Sequence, residues 1–179
     1  MSNQFFGKYR GTVVNNLDPE MRGRLLLMVP DVLNLIPSTW AEPCLALAGP
    51  IGLAMGVYMV PPIGTGVWVE FEQGNPNRPV WVGCRWGSQA QVPSQAHMGL
   101  PVSPNIVIQT SLQNVFVISD LPGPTGGLML KSTTGASITV NDTGIYIDNG
   151  KGASIKLIGP AITIDGSMVA INGTALVIT

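Results

Sequence analysis

The sequence predicts an all-β fold, a small closed barrel followed by a β-helical rod, and three observations carry that prediction. Glycine (22) and proline (15) supply about a fifth of the 179 residues, which suits short strands joined by tight turns and argues against long helices. Only 11% of the residues are charged, against a usual share of about 25%, and the mean hydropathy is positive. A chain this apolar is expected to bury much of its surface between subunits. The second half repeats one unit, a pair of apolar residues two apart, separated by turn formers.

The barrel strands come first. Residues 7–15 carry Tyr9, Val13 and Val14 and run into the turn Asn16-Leu17-Asp18-Pro19. Residues 23–29 read as a strand, Arg24 to Val29, stopped by Pro30. Residues 67–72, Val-Trp-Val-Glu-Phe-Glu, alternate apolar and polar from Val69 on, as a half-buried strand does. A turn at Gly74-Asn75-Pro76-Asn77 precedes the last strand, Val80 to Cys84. About five strands in this span make a small closed barrel, and closure removes exposed strand edges.

Residues 44–62 are almost wholly apolar and long enough for a membrane span. Gly49, Pro50, Gly52, Gly56, Pro61 and Pro62 interrupt them, and no Lys or Arg flanks them closely. The reading preferred here is strands and a loop of the barrel core; the other is a partly exposed loop that docks on a partner subunit.

The domain boundaries follow: residues 1–88 for the barrel, 89–104 for a polar, proline-containing connector without apolar periodicity, and 105–179 for the rod. In the rod the pairs are Leu128/Leu130, Ile138/Val140, Ile145/Ile147, Ile155/Leu157, Ile162/Ile164, Val169/Ile171 and Leu176/Ile178. Each pair lies on one face of a strand. The step from pair to pair is ten, seven, ten, seven, seven and seven residues. A coiled coil would space its apolar residues three and four apart and would not carry a glycine in nearly every repeat. Very short strands repeated along an axis indicate a β-helix. One chain at this period has too little interior to enclose a core. Three intertwined chains, each strand pairing with strands of its neighbours, solve the problem and direct the Ile/Val/Leu pairs at a shared axis. From Ile138 onward these pairs are the expected trimer core.

The first half resembles the OB-fold domain of phage baseplate spike proteins of the baseplate assembly protein V type, a domain also found in type VI secretion spikes. The resemblance rests on Gly7-Lys8-Tyr9-Arg10-Gly11-Thr12-Val13, Asp18-Pro19-Glu20, Gly23-Arg24-Leu25, Ser38-Thr39-Trp40-Ala41, Pro61-Pro62-Ile63-Gly64 and the run from Val67 to Val80. The rod resembles the family's C-terminal triple-stranded β-helix in pattern alone. The resemblance implies a homotrimeric central spike at the tip of a contractile tail tube, which carries load through the bacterial outer membrane while the sheath supplies the work. It implies a virion baseplate or injection-particle tip as the location. The chain departs from relatives that insert a lysozyme domain, that carry an N-terminal hub domain, or that end in a His-x-His metal apex; its one histidine is His97. A separate hub protein on the barrel side is therefore expected. Because the sequence stops within the strand repeat, a small conical PAAR-type cap is expected on Leu176, Val177, Ile178 and Thr179. The first residues, Met1-Ser2-Asn3-Gln4, carry no basic and apolar leader, so assembly in the cytoplasm is expected.

The chemistry of other function classes finds little support. Residues 1–90 hold six basic and six acidic side chains, so no basic groove is available for nucleic acid. Trp40, Trp68, Trp81 and Trp86 are then expected in core and trimer packing rather than base stacking. Glu70 and Glu72, two apart, read as a solvated or interface face rather than an acid–base pair of an envelope-degrading enzyme. Cys44 and Cys84 read as reduced, buried thiols. Asp142, Asp148 and Asp165 sit beside glycines as turn residues and lack the Gly-Gly-x-Gly-x-Asp calcium repeat. No catalytic residue, metal or cofactor is expected.

Overall fold

The computed structural model describes residues 3–171 and 176–178 and divides into two compact units, Met1–Gln91 and Val92–Thr179. The first is built on β1 (Tyr9–Asn15), β2 (Leu26–Met28), β3 (Glu42–Pro43), β4 (Gly66–Phe71) and β5 (Pro79–Arg85). These form one sheet in the order β2-β1-β4-β5-β3. The two ends of that sheet meet. Leu25, just before β2, and Ala41, just before β3, exchange both backbone bonds at 3.1 and 2.8 Å, so the sheet curls into a closed barrel.

Alternation decides what the barrel holds. Along β4, Val67, Val69 and Phe71 point inward and are 0–5% exposed. They join Val13, Leu25, Leu27, Val29, Ala41 and Trp81 in one core. Trp81 satisfies its indole N–H inside that core by donating to the Gly23 carbonyl at 3.1 Å. Gly11 is required by space: a Cβ there would lie 2.7 Å from Val69 Cγ2 and 3.2 Å from Val67 Cγ2. Pro30 starts a four-residue helix, α1 (Pro30–Leu33), where its missing N–H costs nothing.

Two expectations about this unit change. The strand expected over 67–72 ends at Phe71, and Glu72 opens a short 3-10 turn in which Gln73 has φ 53°. Glu70 and Glu72 therefore do not share a strand face. Residues 44–62 do not supply barrel strands; they form a largely exposed loop with an isolated β-bridge between Ala48 and Gly56. The physical reason is room, since the inward positions of the five strands already fill the interior. Among the described residues no helix is long and apolar enough to cross a membrane.

The second unit is a seven-stranded antiparallel sheet in the order β12-β11-β10-β9-β8-β7-β6. Its strands are β6 (Ile106–Gln109), β7 (Val115–Ser119), β8 (Gly127–Lys131), β9 (Ser137–Asn141), β10 (Gly144–Asp148), β11 (Ser154–Ile158) and β12 (Ala161–Asp165). Each pairs with the next in the chain, so β7 to β11 use both edges within one polypeptide. This differs from the expected pairing with strands of sister chains. The turns explain the difference: connections as short as residues 142–143 and 159–160 return the chain directly beside the strand it has left. The same turns explain the uneven repeat, a five-residue strand with a two-residue or a five-residue connection. β13 (Val169–Ile171) and β14 (Leu176–Ile178) pair with each other, Val169 opposite Ile178 and Ile171 opposite Leu176, and do not extend the seven-stranded ladder as the even repeat predicts.

An apolar assembly face in the C-terminal domain

The antiparallel register turns the sequence pairs into two columns. One runs Ile108, Phe116, Leu130, Ile138, Ile147, Ile155 and Ile164; the other runs Ile106, Ile118, Leu128, Val140, Ile145, Leu157 and Ile162. Each residue lies directly opposite the next, the arrangement in which cross-strand side chains pack best. The columns are not covered within one chain. Ile138, Ile145, Ile147 and Ile155 are 37–45% exposed, and Ile162 is 71% exposed.

The opposite face is polar toward the far end of the sheet. Thr139, Tyr146, Lys156 and Thr163 stand in one row, and Ser137, Asp148, Ser154 and Asp165 in another. Lys156 Nζ donates to Asp165 at 2.8 Å. That hydrogen bond holds the Asp165 carboxyl below its ordinary value and raises the Lys156 ammonium. At β7 this face is instead closed, with Val115, Val117 and Ser119 all buried. From β9 to β12 the sheet thus has one polar face and one apolar face without a partner in the chain.

The sequence-predicted core residues Ile138, Val140, Ile145, Ile147, Ile155, Leu157, Ile162 and Ile164 are brought together on this one face. Val169, Ile171, Leu176 and Ile178 belong to the separate β13–β14 hairpin; the side chains of Ile171, Leu176, Val177 and Ile178 lie outside the described residues, as does Thr179 altogether. Sequence reasoning missed Ile106, Ile108, Phe116 and Ile118. Their i, i+2 spacing was available as a signal, but β7 is apolar on both faces from Val115 to Ile118, which hides the alternation there.

In the barrel, the charged residues serve the fold. Asp18 and Arg24 form an ion pair at 2.7 Å with side chains only 2% and 12% exposed. Arg24 and the backbone N–H groups of Glu20, Arg22 and Arg24 hold the Asp18 carboxyl well below the usual carboxylate range, against the opposing effect of burial. Arg24 also stacks over Trp40 at 5.7 Å. Glu70 pairs with Lys8 at 2.6 Å and Glu72 pairs with Arg78, so the two carboxylates have separate partners. Trp81 fills the core as expected, Trp40 and Trp68 are half-buried, and Trp86 is 65% exposed. Cys44 and Cys84 are free thiols, as expected, but exposed rather than buried, because they fall beyond the filled centre of the barrel. Partial burial still pushes the Cys84 thiol up. Asp148 accepts the Gly150 N–H at 2.5 Å within its own turn, whereas Asp142 accepts the Gly123 N–H at 3.0 Å from a different connection. His97 is exposed in a short 3-10 turn, Ser94–Met98, and among the described residues no cluster of metal-ligating side chains occurs.

A closed barrel joined to a sheet with one unpartnered apolar face defines an all-β structural subunit built to associate through its second domain. Comparison with known families agrees. Residues 9–86 match the type VI secretion system/phage-baseplate injector OB domain, and residues 105–177 match the phage baseplate V C-terminal trimerisation domain. The chain belongs to this phage baseplate V family. No curated protein matches the chain closely in sequence. Membership makes it a structural component of a phage baseplate or related injection particle, and its trimerisation domain supports a homotrimer.

Proposed function

We propose that the protein is the central, membrane-piercing spike at the tip of a contractile injection machine. The observation that supports this most is the pair of apolar columns, unbroken over seven strands and uncovered in one chain. Three such faces turned toward one axis bury the columns and leave the polar rows outside. Seven strands about 4.8 Å apart span roughly 30 Å along the hydrogen-bonding direction. In this reading that direction is the spike axis, and axial load is carried through successive hydrogen-bonded layers. The three-chain β-helix of this proposal meets face to face, with Ile138, Val140, Ile145, Ile147, Ile155, Leu157, Ile162 and Ile164 as its core.

The rest of the reading rests on the family resemblance. Force comes from a sheath, and the spike contributes stiffness and shape, not chemistry. A separate hub holds the barrel side, and a small conical PAAR-type cap covers residues 176–179. The balanced charge of the barrel supports protein partners over nucleic acid. Two free cysteines suit assembly in the reducing bacterial cytoplasm. The residue boundaries 1–88, 89–104 and 105–179 remain part of this proposal, with residues 89–104 as the link.

The test is the mass of the full chain in solution by light scattering. Three times 18.8 kDa is expected, and a stable monomer would remove the basis of the spike. Electron micrographs of assembled particles address the cap, since a blunt tip would count against it.

A further inference from the structure

Between Glu42 and Glu70 the chain carries no charged residue. Within that stretch an arm leaves the barrel as a narrow hairpin. Gly49 donates its N–H to the Met55 carbonyl at 2.7 Å, and Val57 donates to the Leu47 carbonyl at 3.2 Å. Its tip has nothing to pack on, with Ile51 fully exposed and Leu53 76% exposed, and behind the tip Met55 and Tyr58 are still 60% and 65% exposed. Nine large apolar side chains from Leu45 to Ile63 are each more than a third exposed. Their combined area, on the order of several hundred Å², is at the upper end of what a soluble monomer shows as one patch and near the roughly 800 Å² per partner of a standard interface. An isolated two-stranded hairpin is marginal in water, so an arm of this composition needs a cover.

The same chain offers one. After α1, Asn34 turns with φ 52° and presents Leu35 and Ile36 side by side, 84% and 71% exposed, in a stretch from Val32 to Ala41 that also lacks charge. Within one protomer neither surface covers the other, because both are exposed. We infer that the arm is an intersubunit clasp: residues 45–59 of one chain seat on the Leu35–Ile36 shoulder of a second copy. The inference rests on the homotrimer. In a closed three-fold ring each contact joins two different patches, so one arm and one shoulder per chain satisfy all three contacts. The trimerisation domain raises the effective concentration of barrel for barrel into the millimolar range, where even a weak apolar contact forms. An arm without charge has no electrostatic means of selecting a foreign partner, whereas a tethered copy needs none.

The experiment uses the full chain in which Cys44→Ser and Cys84→Ser remove the native thiols. Leu53→Cys and Leu35→Cys are introduced together and separately, treated with a short bis-maleimide, and run on denaturing gels beside light scattering of the untreated protein. The pair is expected to give covalent dimers and trimers, and each single variant only monomers. A cross-link confined to one chain, no cross-link in a particle of trimeric mass, or dimers from Leu53→Cys alone would each overturn the clasp. A monomeric mass would overturn the trimer and the clasp with it. Amide exchange of the unsubstituted protein gives an independent reading: residues 51–54 are expected to exchange about tenfold or more slower in the pure trimer than in a free peptide. Free-peptide rates would overturn the inference and point to a different protein or a lipid surface as the cover.

Discussion

In β4 of the barrel, Val67, Val69 and Phe71 alternate with half-buried neighbours and are 0–5% exposed. In β10 of the sheet, Ile145 and Ile147 alternate in the same way and are 39% and 42% exposed. The local pattern is the same; what differs is where the second layer comes from. The barrel curls through the Leu25–Ala41 bridge and becomes its own second layer. The sheet stays open, and in the proposed trimer its second layer comes from other chains. Completing the burial of a half-exposed Ile or Leu contributes roughly 1 kcal/mol, and the columns repeat that contact strand after strand. A period of two therefore reports that a face is covered, not by what.

The largest expected effect separates the two regions. Ile147→Asp places a carboxylate in the column of every chain, and an unpaired buried charge costs several kcal/mol or more. Loss of the trimer by light scattering is expected, with the barrel's near-ultraviolet dichroism from Trp81 retained. If the barrel unfolds as well, the two units are less independent than their cores suggest. Leu27→Ala is the converse. Leu27 is 0% exposed, and its truncation should cost about 2–5 kcal/mol of barrel stability in a denaturant melt while the mass stays trimeric.

A smaller effect is expected from acid. The Asp18 carboxyl is held below its unfolded value by Arg24, so its contribution is present above the unfolded carboxylate range and is lost as pH falls through the folded value. The melting temperature of the barrel should therefore drop as pH is lowered from about 5 toward 2, and Asp18→Asn should flatten that drop. An unchanged slope in the variant would show that other carboxylates carry it. The smallest effect belongs to Lys8→Ala. The Lys8–Glu70 pair is 57% and 45% exposed, so its removal should change stability by no more than about 1 kcal/mol and that change should shrink with salt.

How much of this was legible in the sequence varies by region for physical reasons. Strand positions were readable wherever glycine and proline punctuate an alternating run, as at Gly66 to Phe71 and Ser137 to Asp148. The apolar face was readable because Ile and Val recur two apart with turn residues between. The arm was misread because apolar composition reports only a wish to be buried, and local sequence does not distinguish burial in a core from burial on a neighbour. Asp18 read as a turn former before proline; its pairing with Arg24 depends on where the chain folds back. Strand partners were misassigned because pairing within or between chains is settled by turn geometry, which composition describes poorly.

The turns have one more consequence. β8, β10 and β12 begin at Gly127, Gly144 and Ala161, so one short and one long connection together advance the chain by 17 residues and return it to the same phase. A segment of that size is a modular increment. Adding or deleting it lengthens or shortens the sheet by two strand spacings, about 10 Å, without disturbing the order of either column. The extent of the sheet is thus quantised in pairs of strands.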